Sequence, residues 1–306
     1  MLRFKKMGKW IEFTIQDNWS GITVDSIFRE KWKAPKKFIH TFRTEKKVTV
    51  DGEPVNWDAP LATGSKVQVR LFDEETSDLK PAFLDVPVLY EDDHLIVFNK
   101  PPFMRVHPNS IEDVGTLAQA AAFHVQAQGE LTCVRHIHRL DKDTTGAILF
   151  SKHSLVGALL DQMLEKREIK RTYLAIIDGI FPQKKGIFTD PIGRDRHHPT
   201  KRRVSSTGQK AITHFKTIKI DQKKRLTMVK CWLDTGRTHQ IRVHFSHAGF
   251  PLAGDAVYGG RPVFKRQALH AVKLEFTHPL TGEFIVCHAP FTDNPVIFKD
   301  IDIYSI

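Results

Sequence analysis

His138-Arg139-Leu140-Asp141-Lys142-Asp143-Thr144-Thr145-Gly146, followed at once by Ala147-Ile148-Leu149-Phe150, reads as a charged loop that ends in a buried strand. A loop dense in charge, braced by a glycine and joined directly to core, is where a rigid scaffold can hold a reactive side chain. Asp141 is the candidate. The plainer alternative is a turn whose Asp and Thr side chains bond their own backbone, and what surrounds the stretch decides between the two.

Downstream, Ser154 is placed to cap a helix whose Leu155, Leu159, Leu160, Met163 and Leu164 share one apolar face. Arg171-Thr172-Tyr173-Leu174-Ala175-Ile176-Ile177 is the next strand, polar at its start, so Tyr173 stands near the sheet's end. Residues 194–203 are too charged to pack against a core and suited to following phosphates. After strands at 211–220 and 226–233, a helix near 239–248 buries Ile241, Phe245 and Ala248. Arg242 lies at the edge of that face, where a buried arginine is costly unless it meets a carboxylate. Asp141 is the obvious partner. The last strands are 269–276 and 284–287.

Upstream, Leu95-Ile96-Val97-Phe98 is a continuous apolar strand running into Asn99-Lys100-Pro101-Pro102, where regular structure stops and Asn99 and Lys100 are read as fixing the loop. An Ala-rich helix covers 116–128. Residues 10–72 form a separate compact unit: a period-two strand at 11–15, Val24, Ile27, Phe28 and Trp32 at helical spacing, a second helix after Pro35, an Asp51-Gly52 hairpin and a strand at 67–71. Its helices carry Arg29, Lys31, Lys33, Lys36, Lys37, Arg43, Lys46 and Lys47 on their outer faces. The acidic, aperiodic run after Asp73 reads as a linker, which divides the chain into 1–73, 74–86 and 87–306. Because that linker has few apolar residues to tie the units together, a chain beginning at Pro81 is expected to fold alone.

Lys and Arg outnumber Asp and Glu by 46 to 35, a formal net charge of +11, which favours a polyanion as partner, nucleic acid first. Neither an apolar run of spanning length nor a signal peptide is visible, so the chain reads as cytoplasmic, without a membrane partner. Cys133, Cys231 and Cys287 are far apart and never paired in a Cys-x-x-Cys, consistent with reduced core thiols rather than a disulfide framework or a zinc site. Of His239, His244 and His247 only the last two have one-face spacing, with no carboxylate in register, so no metal is expected.

These pieces together resemble one family, the RluA-type pseudouridine synthases. The resemblance rests on VFNKPPFMRVHP, HRLDKDTTGAILFSK, KREIKRTYLAIIDG, GQKAITHF, LDTGRTHQIRVHFSHAGFPLAGDAVYGG and LHAVKLEFTHP, in the family's order between residues 88 and 290. The family usually has Ser where this chain has Thr145, which keeps the hydroxyl. Residues 1–73 resemble the S-four-type RNA-binding module, except that Ala34-Pro35-Lys36-Lys37 replaces an arginine-rich helix start. The resemblance implies an α+β fold: a catalytic domain with a large bent mixed or antiparallel sheet flanked by helices, plus the small N-terminal module. It also implies isomerisation of uridine in ribosomal or transfer RNA, by a monomer, without metal or cofactor. Carried over, Asp141 is the catalytic nucleophile and Arg242 its ion-pair partner. Tyr173 stacks on the flipped uracil and could help remove its C5 proton. Arg139 fills the space the nucleotide leaves, Leu274 walls the pocket, and Arg237 is a further RNA or structural contact. An RNA-binding factor that has lost the chemistry is the alternative; the intact Asp141, Tyr173 and Arg242 set speaks against it.

Overall fold

A computed structural model describes residues 3–73, 79–110, 112–129 and 133–306, so the acidic core of the expected linker lies outside the described residues. The N-terminal unit is a five-stranded sheet in the order β1-β2-β5-β3-β4, with two short helices against it. The elements are β1 (Lys5–Met7), β2 (Trp10–Thr14), α1 (Val24–Ser26) continuing as a π-helical turn over Ile27–Lys31, α2 (Lys36–Thr44), β3 (Val48–Val50), β4 (Glu53–Pro54) and β5 (Lys66–Arg70). Asp51 and Gly52 both take positive φ, +52° and +86°, which is the two-residue turn their identities call for. Much of the basic face is already engaged. Arg29 and Arg43 pair with Asp25, and Lys47 pairs with Glu45 and Asp73.

The larger unit runs β6 (Val88–Glu91), β7 (Leu95–Lys100), α3 (Leu117–Ala127), β8 (Arg135–His136), β9 (Thr145–Ser151), α4 (Ser154–Glu165) and β10 (Lys170–Asp178). It continues with β11 (Lys185–Phe188), β12 (Ile192–Arg194), β13 (Arg202–Val204), β14 (Thr213–Asp221), β15 (Leu226–Leu233), α5 (Gln240–His247), β16 (Leu269–Thr277) and β17 (Phe284–His288). Ten strands form one mixed sheet, ordered β11-β14-β15-β10-β16-β9-β7-β6, with β17 on β16 and β8 on β9. Among the described residues only β9 and β16 pair in parallel. The basic segment at 194–203 is the tip and legs of the separate β12–β13 ribbon.

The strand that follows the charged loop is the centre of the molecule. All of β9 is buried, and its alternation feeds two cores. Ala147 and Leu149 pack in the cluster that holds Leu155, Val156, Leu159 and Leu160 of α4. Ile148 and Phe150 pack in the cluster that holds Leu117, Ala118 and Ala121 of α3, with Tyr173. The cap of α4 falls one residue earlier than expected. His153 is the N-cap, its Nδ1 accepting from the Val156 amide at 3.4 Å, and Ser154 is the first helical residue.

The two units are not strung on a bare linker. The core around Leu149 and α4 runs without a break into Ile11, Phe13, Trp32 and Phe72 of the N-terminal unit. At the seam Phe4 meets His94 edge-on at 5.5 Å and Phe72 meets His153 at 5.2 Å, beneath Lys6, which stands 4.2 Å over the Phe72 ring. This overturns the reading that few apolar residues tie the units together: they come from the ends of the N-terminal sheet rather than from the linker. Cys231 and Cys287 are buried as expected, whereas Cys133 is only half-buried.

Candidate active site

The charged loop closes on itself, with the Thr144 amide donating to the Asp141 carbonyl at 3.0 Å, and it is clamped from below by two buried cations. Lys100, fully buried, spends its three protons on the carbonyls of Pro101, Met104 and Lys142 at 2.8–2.9 Å. Burial and the charge of Arg266 pull its pKa down to about 7, against the carboxylates of Asp141 and Asp143. Three carbonyl acceptors favour the ammonium, since a neutral amine has one donor fewer. Arg266, held in a fork by Asp293, donates to the carbonyls of Asp143, Gln267 and Leu269 and to the Thr145 hydroxyl. His270 Nε2 faces the Ala289 carbonyl, which can only accept, so its Nδ1 accepts from Thr145 at 2.7 Å. Thr145 thus uses its hydroxyl as both donor and acceptor, which is why Thr serves where Ser is usual.

Gly146 sits where β9 and β16 come together, at φ +111°. A Cβ there would fall 2.2 Å from the Ala271 carbonyl oxygen. The glycine lets the two strands close beside the loop, and Asp141 is left 22% exposed at the rim of a buried site.

Arg242, on α5, reaches that carboxylate: its Nη1 donates to Asp141 Oδ2 at 2.9 Å. The structure adds a second partner. Nε and Nη2 form a fork with Asp255, itself 1% exposed, at 2.7 and 2.9 Å. Burial works to lower the Arg242 pKa, but the bond to Asp255 and the charges of Asp141 and Asp255 outweigh it and hold the guanidinium charged. The Tyr258 ring lies 4.9 Å from the guanidinium carbon. The Tyr258 hydroxyl accepts from the Arg202 amide and lies 2.9 Å from His239 Nδ1. With its own proton given to Nδ1, His239 presents Nε2–H towards Asp141 at 3.9 Å.

Tyr173 is 3% exposed, in the cluster with Leu140, Ile241, Leu269 and Ala271. Burial raises its pKa, with Arg171 opposing and Asp141 adding, so the phenol is neutral at pH 7. Leu274 is not in that cluster. It packs with Leu155 and Phe276, and the apolar wall beside Tyr173 comes instead from Leu140 and Leu269, the latter opposite Ala175 in register. Arg139 is exposed on the loop, its charge felt by His107 and His136. Arg237 is exposed and turned to its own chain, donating to the Lys210 carbonyl and to Gln209. His244 is occupied by Thr213 and the Asp190 carbonyl. Sequence reasoning missed Asp255, Tyr258 and Arg266, which sit in stretches without periodicity, and weighed His239 only as a metal ligand.

A carboxylate aimed by a buried arginine, beside an apolar cluster that includes a buried tyrosine, is an arrangement suited to attack on an unstacked base or its sugar. Residues 94–247 match the RNA pseudouridylate synthase family, and residues 11–67 match the RluD ribosomal pseudouridine synthase N-terminal domain. The chain is 45% identical over 285 residues, 93% of its own length and 94% of the relative, to the uncharacterized RNA pseudouridine synthase YhcT of Bacillus subtilis. It is 37% identical to the ribosomal large subunit pseudouridine synthase D of Pasteurella multocida, with 82% of each covered. The solved structure of human RNA Pseudouridylate Synthase Domain Containing 1 shares the fold, with a TM-score of 0.55 at 24% identity over 71% of this chain and 86% of that one. The chain belongs to the RNA pseudouridylate synthase family, and its activity is the isomerisation of uridine in RNA.

Proposed function

We propose that Asp141 is the nucleophile of this reaction and that the substrate is ribosomal RNA of the large subunit. The observation that supports the first part is the Asp141–Arg242–Asp255 chain of charge on a loop locked by Lys100 and Arg266. A carboxylate so held is aimed, and the chemistry balances within the substrate: the N1–C1′ bond breaks, the uracil turns, C5 joins the same C1′, and the proton that C5 gives up is matched by one that N1 takes. Arg139, exposed beside Asp141, occupies the gap in the RNA left by the extruded nucleotide. Tyr173 stacks on the uracil. As a buried neutral phenol it is a poor base, so its part in removing the C5 proton is to position the ring rather than take the proton. Leu140 and Leu269, which pack in the same cluster as Tyr173, wall the uracil. The ribosomal assignment is supported by the relatives' names and by the N-terminal match. No helix among the described residues is long and apolar enough to cross a membrane.

Asp141→Asn tests this. Turnover of uridine in ribosomal RNA should fall at least about a thousandfold, the scale on which removal of a nucleophile acts, while RNA affinity stays within about twofold. Turnover near wild type in the purified variant would sink the assignment.

A further inference from the structure

Eight of the described residues other than glycine have positive φ, and seven of them carry polar or charged side chains. The exception is Phe103. It takes φ +62° at the corner of the turn that follows β7, with Pro102 before it, and its side chain is 53% exposed. A left-handed corner is ordinarily given to glycine or asparagine, and a bulky apolar residue there is strained. Among the described residues the ring meets neither another aromatic ring nor a cation. Neither the backbone nor the core calls for a phenyl group at this position.

The turn belongs to the active site. The alternation of β7 sends Lys100, with Ile96 and Phe98, to the face of the sheet that carries Tyr173. The Lys100 ammonium holds the carbonyls of Pro101 and Met104, which flank the turn, together with the carbonyl of Lys142 from the catalytic loop. Two carbonyls on one ammonium lie within about 6 Å of each other, so the turn abuts the residue that follows Asp141. Met104 packs against the cluster that contains Tyr173, while Phe103 beside it faces solvent. Further along the same segment, His107 feels the charge of Arg139. The segment therefore runs beside the catalytic loop, with Phe103 near Lys142 at one end and His107 near Arg139 at the other. Two exposed side chains, Phe103 and Arg139, thus stand on either side of Asp141.

We propose that Phe103 is a substrate-binding residue whose ring stacks on the base next to the target uridine, on the side of Asp141 away from Arg139. Extrusion of a nucleotide unstacks its neighbours; Arg139 enters the gap in the strand, and Phe103 covers the base that flanks it. Aromatic rings hold unstacked bases with little regard to their identity, and a ring fixed on a tight turn has little freedom to lose on binding. A strained corner that holds a side chain outward beside a reactive group is the kind of backbone feature that function retains. The inference rests on the proposed role of Asp141, which places the uridine.

The test is binding, measured by anisotropy with the full chain and a short single-stranded RNA that has one uridine among adenines, and with the same RNA lacking the base on one or the other side of that uridine. For the wild type, one of the two missing bases should weaken binding by about five- to a hundredfold. Phe103→Gly should bind the intact RNA weaker by a similar factor and be indifferent to that same missing base, because the two changes remove one contact. The slope of log K against log salt should not change, since no charge is lost. Phe103→Tyr should bind like the wild type and Phe103→Leu like Phe103→Gly. Melting temperatures of all variants should stay close to wild type, as glycine adopts the left-handed corner freely. Wild-type binding by Phe103→Gly or by Phe103→Leu would overturn the proposal. So would losses from Phe103→Gly and from either missing base that add in full, which would mean that the ring acts through the fold of the loop. Binding is read without turnover, so an Asp141→Asn variant that still isomerises uridine would sink the proposed nucleophile and leave these measurements intact.

Discussion

Arg242 is asked to do two things with one guanidinium: neutralise Asp255, which is fully enclosed, and aim Asp141, which is open to substrate. The two carboxylates differ in what their loss should cost. Arg242→Ala strands Asp255 as an unpaired buried charge, so the variant should lose about 3–5 kcal/mol of stability in urea denaturation as well as its activity. Arg242→Lys cannot reproduce the fork and should recover little of either. A variant that unfolds at the wild-type midpoint would show that the pair with Asp255 contributes nothing. That Arg242 needed a carboxylate was legible from its place at the edge of a buried helical face, and Asp141 was correctly paired with it. That it needed two was not legible, because Asp255 lies in an irregular stretch where no period marks a residue as inward-facing.

Among the elements, β9 and the loop before it depend on a backbone approach that only glycine allows. Gly146→Ala places a methyl group 2.2 Å from the Ala271 carbonyl oxygen at φ +111°, so either the parallel β9–β16 contact opens or the strand twists. We expect a loss of at least about 2 kcal/mol and a drop in activity from the displaced loop; a denaturant midpoint unchanged from wild type would refute the packing argument. The same scale shows where sequence reading works. Long apolar or alternating runs such as 95–98, 171–177 and 269–276 were visible because burial on one or both faces leaves a period, and they fall within β7, β10 and β16; β7 also takes in Asn99 and Lys100, which had read as loop. The two- and three-residue strands β8, β12 and β13 are too short to carry a period and exist only through their partners. The cap of α4 was misplaced by one residue because Ser is the commoner cap. Here the preceding histidine accepts the Val156 amide while its other nitrogen lies 3.0 Å from His94 Nδ1. Leu274 shows the limit of the same signal: alternation marks it as buried but does not say in which cluster, and it packs with Leu155 and Phe276.

For the molecule as a whole, the seam between the two units is where stability should respond to pH. His94 and His153 are 3% exposed beneath Phe4 and Phe72, and burial drives the pKa of His94 down to about 3 and that of His153 well below its ordinary value. His153 accepts an amide at Nδ1, so the proton of the pair lies on its Nε2 and is given to His94; protonating His94 breaks that link, and protonating His153 breaks the helix cap. In the unfolded chain both rings take up protons near pH 6.5, while in the folded chain neither does until far lower. The unfolded state therefore binds more protons across the window from about 6.5 down to 3, and stability rises with pH through that window and is level above it. Each histidine should cost about 1.4 kcal/mol per pH unit of acidification, an upper figure that assumes full burial throughout. His138, also buried with a strongly lowered pKa, and His270, held at about 4, add to the slope from within the catalytic unit. The seam can be separated from these by removing residues before Pro81. Without Phe4 and Phe72, His94 and His153 face water and their pKa values return towards 6.5, so the shortened chain should be less stable at pH 7.5 yet lose less on going to pH 5.5. It should also bind ribosomal RNA more weakly and with a shallower salt slope, since the lysines Lys31, Lys33, Lys36, Lys37 and Lys46 go with it. Urea titrations of both chains at pH 7.5, 6.5 and 5.5 decide the matter. Parallel losses in the two would mean that the other histidines with lowered pKa values, His136, His138 and His270 foremost, carry the acid response and that the seam histidines stay buried without the N-terminal unit.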